Sequence, residues 1–138
     1  MQKVILDTNV IISALIANSL PTKILYELAL ARRIEVCLSE EVFAEYVAVL
    51  ARDKFKKFPA FSTKADVVLN KLREIATFYR PTRRVELLKD LSDNKFLELA
   101  AISAADYLLT GNTLDFTISE FEYTRILTPR AYWDDCKP

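Results

Sequence analysis

Short apolar runs alternate with longer stretches of helical periodicity along the whole chain. Lys3-Val-Ile-Leu-Asp7 is an apolar run ending in an acid, the pattern of a fully buried strand. Residues Val10 to Ala17 and Thr22 to Arg33 carry helical spacing, and Pro21 suits the opening of the second helix. Ile34-Glu-Val-Cys-Leu38 predicts another strand. Ser39 is an N-cap for a helix reaching about Lys56, with Pro59 closing the connection. A fourth helix is expected from about Lys64 to Phe78, with Thr63 and Asp66 at capping-box spacing. Arg83 to Leu87 reads as a weaker strand. Asp93 caps a helix through Ala104, Tyr107 to Thr110 forms a strand, and Arg125 to Thr128 forms the last.

Strands alternating with helices imply a mostly parallel central sheet of four to five strands, covered by helices on both faces. No linker, repeat or low-complexity run divides the chain, and 138 residues suit a single domain spanning 1–138. The apolar runs fall short of the ~20 residues a membrane span needs. Met1-Gln-Lys leads directly into the first strand without a signal pattern. Cys37 and Cys136 stand alone, so a reduced, cytoplasmic chain without disulfides is expected.

Two features of composition narrow the chemistry. The chain has no histidine, which removes Ser–His and Cys–His nucleophiles and histidine metal sites together. It has one glycine, Gly111, which excludes the dinucleotide fingerprint and the P-loop. An enzyme built from this sequence must work through carboxylates, as acid–base groups or as ligands for hard cations such as Mg²⁺ or Mn²⁺.

In a parallel α/β sheet, sites form outside the carboxyl ends of the strands, and each acid can be placed against that edge. Asp7 ends the first strand, with Thr8 and Asn9 at the helix entry; a capping turn and a site residue are both consistent with it. The same two readings hold for Asp93 in Ser92-Asp93-Asn94. Val42, Phe43, Tyr46, Val47 and Leu50 form one apolar arc of the third helix, and Glu45 borders that arc while Glu41 lies further toward solvent. Glu45 is therefore either a solvated boundary residue or a side chain within reach of the sheet edge. Asp106 precedes its strand, roughly 13 Å from the carboxyl end at ~3.3 Å per residue, and reads as structural. Thr110, Gly111, Asn112 and Asp115 lie at or beyond that end. The glycine suggests a turn needing φ > 0 or a close backbone approach.

Ile5-Leu-Asp7-Thr-Asn-Val10, a helical Glu45 after the second strand, Asp93-Asn-Lys-Phe-Leu-Glu98 and Ala105-Asp-Tyr-Leu-Leu-Thr-Gly-Asn112 together resemble the PIN domain. Within it, the chain is similar to the branch of toxin components of toxin–antitoxin systems, relatives of VapC. The resemblance covers essentially the whole chain. It implies a three-layer α/β/α sandwich and Mg²⁺- or Mn²⁺-dependent cleavage of RNA by clustered acids. Asp7, Glu45 and Asp93 match the first three acids of the family. The fourth usually follows the Thr-Gly turn; here that position is Asn112, and the next carboxylate is Asp115. Asp90 matches an acid common in this branch.

On that resemblance Asp7 and Asp93 are principal ligands, Glu45 is a ligand or the base for the attacking water, and Asp115 is an outer ligand. Thr8, Asn9, Thr110 and Asn112 would orient them through hydrogen bonds. A homodimer and a small antitoxin protein are the implied partners, the antitoxin inserting a basic side chain among the acids. The apolar helix face Ile24, Leu25, Leu28 could serve the dimer or the core. Equal numbers of basic and acidic residues give no global basic footprint for nucleic acid. Arg52, Lys54, Lys56 and Lys57, with Phe55 and Phe58 interleaved, form a local one that reads either as a solvated helix end or as a stacking surface for RNA bases. A catalytically silent PIN-like module that binds RNA or protein is the alternative. A phosphoaspartyl hydrolase lacks its Asp-x-Asp, because position 9 is Asn, and a receiver domain lacks its paired acids.

Overall fold

The computed structural model describes residues 1–88, 90, 93–111 and 118–138. Six strands form one sheet: β1 (Lys3–Leu6), β2 (Glu35–Leu38), β3 (Thr77–Phe78), β4 (Tyr107–Leu109), β5 (Glu120–Phe121) and β6 (Thr124–Leu127), in the order β3-β2-β1-β4-β6-β5. All pairings are parallel except that of β5 with β6. Val4, Ile5 and Leu6 are all fully buried although successive side chains point to opposite faces. Both faces of the central strand are thus covered, as a three-layer α/β/α sandwich requires. The helices are α1 (Thr8–Ile16), α2 (Leu20–Lys23), α3 (Glu40–Leu50), α4 (Phe61–Ile75), α5 (Asn94–Ser103) and α6 (Pro129–Asp135). Helix α5 packs on β1 and β2, while α1, α3 and α4 pack against one another.

Several expected elements take a different form, each for a local reason. The sheet has six strands rather than four or five, because β3 and β5 are two-residue pairings too short to leave a periodic signal. The expected Thr22–Arg33 helix is one turn, α2, opened by Pro21, followed by a π-helix over Ile24–Ala29 in which the Leu30 amide donates to Leu25 C=O at 2.8 Å. The wider turn directs Ile24, Leu25, Leu28 and Ala29 inward together. Ile24, Leu25 and Leu28 are therefore core, and no dimer face can be made from them.

Helix α3 ends at Leu50 instead of continuing to Lys56: Arg52 is extended, and a 3₁₀ turn over Asp53–Phe55 folds Phe55 back onto Phe61. Val49, rather than Val47, completes the buried arc, and Val47 is exposed. Helix α4 begins at Phe61, with Ala60 in the left-handed region at its N-cap, so Thr63 lies inside the first turn and the expected capping box does not form. It stops at Ile75 because Thr77–Phe78 is drawn into the sheet beside β2.

Arg83–Leu87 is not a strand. The Val85 amide donates to the Glu98 carboxylate at 2.9 Å and the Leu88 amide to Asn94 Oδ1 at 2.8 Å, so side chains of α5 take the donors a neighbouring strand would have used. Glu98→Ala is expected to cost about 1–3 kcal/mol, the penalty for leaving a buried donor unmet. It should raise hydrogen exchange at Val85 while the sheet amides keep their protection; unchanged exchange at Val85 would remove the anchoring role.

Both cysteines are free thiols, Cys37 in the core and Cys136 partly covered near the carboxyl end. Burial, with the nearby charge of Glu35, pushes the Cys37 thiol up to about 12. Among the described residues no single helix is long and apolar enough to cross a membrane.

Candidate active site

The chain winds from β1 outward to β2 and β3, then returns to β4 and β6 on the other side of β1. The winding reverses between β1 and β4, and crevices form outside the carboxyl ends of strands at such a point. Asp7 and Thr110 are the residues that follow those two strands. The Asp7 amide donates to Leu109 C=O at 2.9 Å, which fixes the two strand ends side by side.

Asp7 is only 6% exposed, and a buried carboxylate must be matched by donors. Its Oδ1 accepts the Thr8 amide at 2.7 Å. Its Oδ2 accepts the Thr110 hydroxyl at 2.7 Å and the Asn9 side-chain amide at 3.1 Å. The capping reading and the site-edge reading therefore coincide: one oxygen caps α1 and the other reaches across to the end of β4.

Asn9 Oδ1 in turn accepts the Gly111 amide at 3.1 Å. The expectation that Gly111 needs φ > 0 or a close approach is not met. Its φ is not positive, and an added Cβ would sit 3.6 Å from Asn9 Oδ1, an ordinary contact. What the turn supplies is an amide donor, which any residue except proline provides.

Glu45 reaches the same edge from α3. Its Oε2 accepts the Thr8 hydroxyl, and its Oε1 accepts the Lys95 ammonium at 2.7 Å. Both side chains are largely buried, Glu45 17% and Lys95 15% exposed. Beneath them the Tyr46 hydroxyl donates to Leu6 C=O, one residue before Asp7. Burial, and then the negative charges of Asp7 and Glu45, hold the Tyr46 phenol well above its ordinary range, so it stays a donor.

Asp93 occupies the N-cap position of α5 with right-handed backbone, but without the side-chain capping bond expected of it. Its amide donates to Asp90 C=O at 3.0 Å. Lys95, in the first turn of the same helix, touches Glu45, so the opening of α5 lies at this edge. Asn112 and Asp115 lie outside the described residues. Among the described residues, no three acids or thiols gather closely enough to hold a metal ion. Asp106 is at the opposite end of the sheet, accepting from the Lys3 amide at 2.8 Å and the Tyr123 hydroxyl at 3.2 Å, and is structural as expected.

Lys95 is the site residue that sequence reasoning passed over. A signal was available: the first turn of a helix disfavours cations because of the helix dipole, so a lysine there needs a specific partner. Two clefts adjoin the edge, one of about 320 Å³ lined by Asn9 and Gly111 and one of about 380 Å³ lined by Asn94, Lys95 and Arg84. The basic segment Arg52, Lys54, Lys56, Lys57 is exposed, with Lys56 paired to Asp53 at 2.9 Å. Phe55 is buried and stacked on Phe61 with ring centroids 5.0 Å apart, so it is not available to bases, whereas Phe58 is half-buried.

Comparison with known proteins bears on the same stretch of chain. A family profile described as a PIN domain matches residues 3–114. An uncharacterized protein of Methanocaldococcus jannaschii is 31% identical over 111 residues, which cover 80% of this chain and 70% of that protein.

Proposed function

The chain belongs to the PIN domain family, and from that premise we propose that it is a divalent-metal-dependent ribonuclease, the toxin of a toxin–antitoxin pair. PIN domains are generally nucleases, and such nucleases usually work with divalent metals. The observation that carries the proposal is the convergence of Asp7 and Glu45, joined through Thr8, at the edge where the sheet's winding reverses.

The donor set is all oxygen, the kind that suits Mg²⁺ or Mn²⁺ rather than softer metals. Asp7 and Glu45 would hold the cation, with Asp93 and Asp115 as further ligands and Asp90 at the margin. Bound there, a divalent cation lowers the pKa of a water, polarises the scissile phosphate and offsets charge at the leaving oxygen. The protein's own part is positioning. Thr110, Asn9 and the Thr8 amide orient the Asp7 carboxylate, the Thr8 hydroxyl orients Glu45, and Tyr46 steadies the strand end below them. Glu45 would serve as a ligand or as the base for the attacking water. RNA would run along the edge between the two clefts, with Arg52, Lys54, Lys56 and Lys57 as a weak flanking contact to phosphates. Arg52 follows two residues after the end of α3, the helix that carries Glu45. A homodimer, a small antitoxin protein and a cytoplasmic location belong to the same reading.

A catalytically silent binding module is the second reading, favoured by the ammonium already seated on Glu45. Incubation with unstructured RNA separates the two. Cleavage in Mg²⁺ or Mn²⁺ that stops in EDTA is expected; intact RNA in both metals would leave the silent module.

A further inference from the structure

Lys95 sits where a cation is costly to place. Burial strips its ammonium of water, and the first turn of α5 repels positive charge. Glu45 offsets both penalties at 2.7 Å, and its other oxygen is bound to Thr8, whose amide holds Asp7. A positive charge is thereby built into an edge that also carries the Asp7 and Glu45 carboxylates.

We propose that Lys95 is the site's resident counter-cation: its ammonium holds Glu45 in place when no metal is bound, and divalent cations enter by exchange against it. Lys95 is thus a positioning residue that sets metal affinity through Glu45. The inference rests on the metal-dependent reading of the site. A unit positive charge in contact with a carboxylate competes directly with any second cation for it, most strongly where water is excluded. By the same electrostatics, removing the ammonium should tighten cation binding at Glu45 by about tenfold or more.

The test is calorimetric titration with Mn²⁺, alongside thermal unfolding of the metal-free protein. Lys95→Gln keeps a donor to Glu45 and loses the charge, while Lys95→Arg keeps both. Lys95→Gln is expected to bind Mn²⁺ about tenfold more tightly than wild type and to melt at a lower temperature without metal. Lys95→Arg should stay near wild-type affinity. A purely structural lysine would not tighten metal binding when removed, so equal or weaker Mn²⁺ binding by a folded Lys95→Gln overturns the exchange. Should that variant fail to fold without metal, Lys95→Met titrated during Mn²⁺-supported refolding reads the same comparison. Absence of Mn²⁺ binding in wild type and variants alike also overturns it. Tighter binding by Lys95→Gln in a protein that leaves RNA intact would uphold the exchange and remove the ribonuclease; metal-dependent cleavage with unchanged Mn²⁺ affinity would do the reverse.

Discussion

Asp7→Asn is expected to lower divalent-dependent RNA cleavage by about a thousandfold while leaving the protein folded. The reasoning starts from the bonds that hold the side chain. An asparagine carbonyl can still accept the Thr8 amide and so preserve the cap of α1. The Thr110 hydroxyl can reverse and accept from the new amide. The contact with Asn9 becomes donor facing donor, a local penalty of about 1 kcal/mol. What the substitution removes is the charge that would hold a cation at the edge. A catalytic metal supplies several kcal/mol of stabilisation, and about 4 kcal/mol corresponds to a factor near a thousand. Cleavage rates with Mn²⁺, read beside circular dichroism of the same samples, check the outcome. Undiminished cleavage would place the chemistry elsewhere.

The largest effect on stability is expected at Tyr46. Its ring is fully buried in the layer beneath the site, and its hydroxyl donates to Leu6 C=O. Tyr46→Ala opens a cavity the size of an aromatic side chain and should cost about 3–5 kcal/mol, a large fraction of a small domain's stability. Tyr46→Phe keeps the packing and removes only the donor, for about 1–3 kcal/mol. Urea unfolding distinguishes the two contributions: both variants should lower the midpoint without altering its slope. A Tyr46→Phe midpoint equal to wild type would show that Leu6 C=O is satisfied without the phenol.

The parts of this fold that follow from one-dimensional pattern could be read without coordinates. β1, β2, β4 and β6 are apolar runs bounded by turn residues, and their alternation with helices implies the parallel sheet. Asp7 was legible for the same reason, as the first acid beyond a buried strand. The features that escaped the pattern are settled by contacts distant in sequence. Glu98 and Asn94 claim the amides that would have made Arg83–Leu87 a strand, and no local periodicity encodes that capture. Phe55 ends α3 early by folding onto Phe61. The π-helix over Ile24–Ala29 rests on an i→i+5 bond that a helical apolar pattern does not distinguish from i→i+4. Lys95 is the instructive omission at the site: as a lone lysine in a helix it looks solvated, and only its pairing with Glu45, fifty positions earlier, gives it meaning.

The bond between Thr110 and Asp7 joins residues 103 positions apart. During synthesis at ~5–20 residues per second, Asp7 therefore precedes its partner by roughly 5–20 s. For that interval the emerging chain has a first strand with no β4 beside it, and its leading carboxylate lacks the hydroxyl that orients it. On the proposed ribonuclease reading, such a chain is made beside the message and the ribosome that produce it. Because the two halves of the edge are 103 positions apart, the edge stays incomplete until the later half has been made.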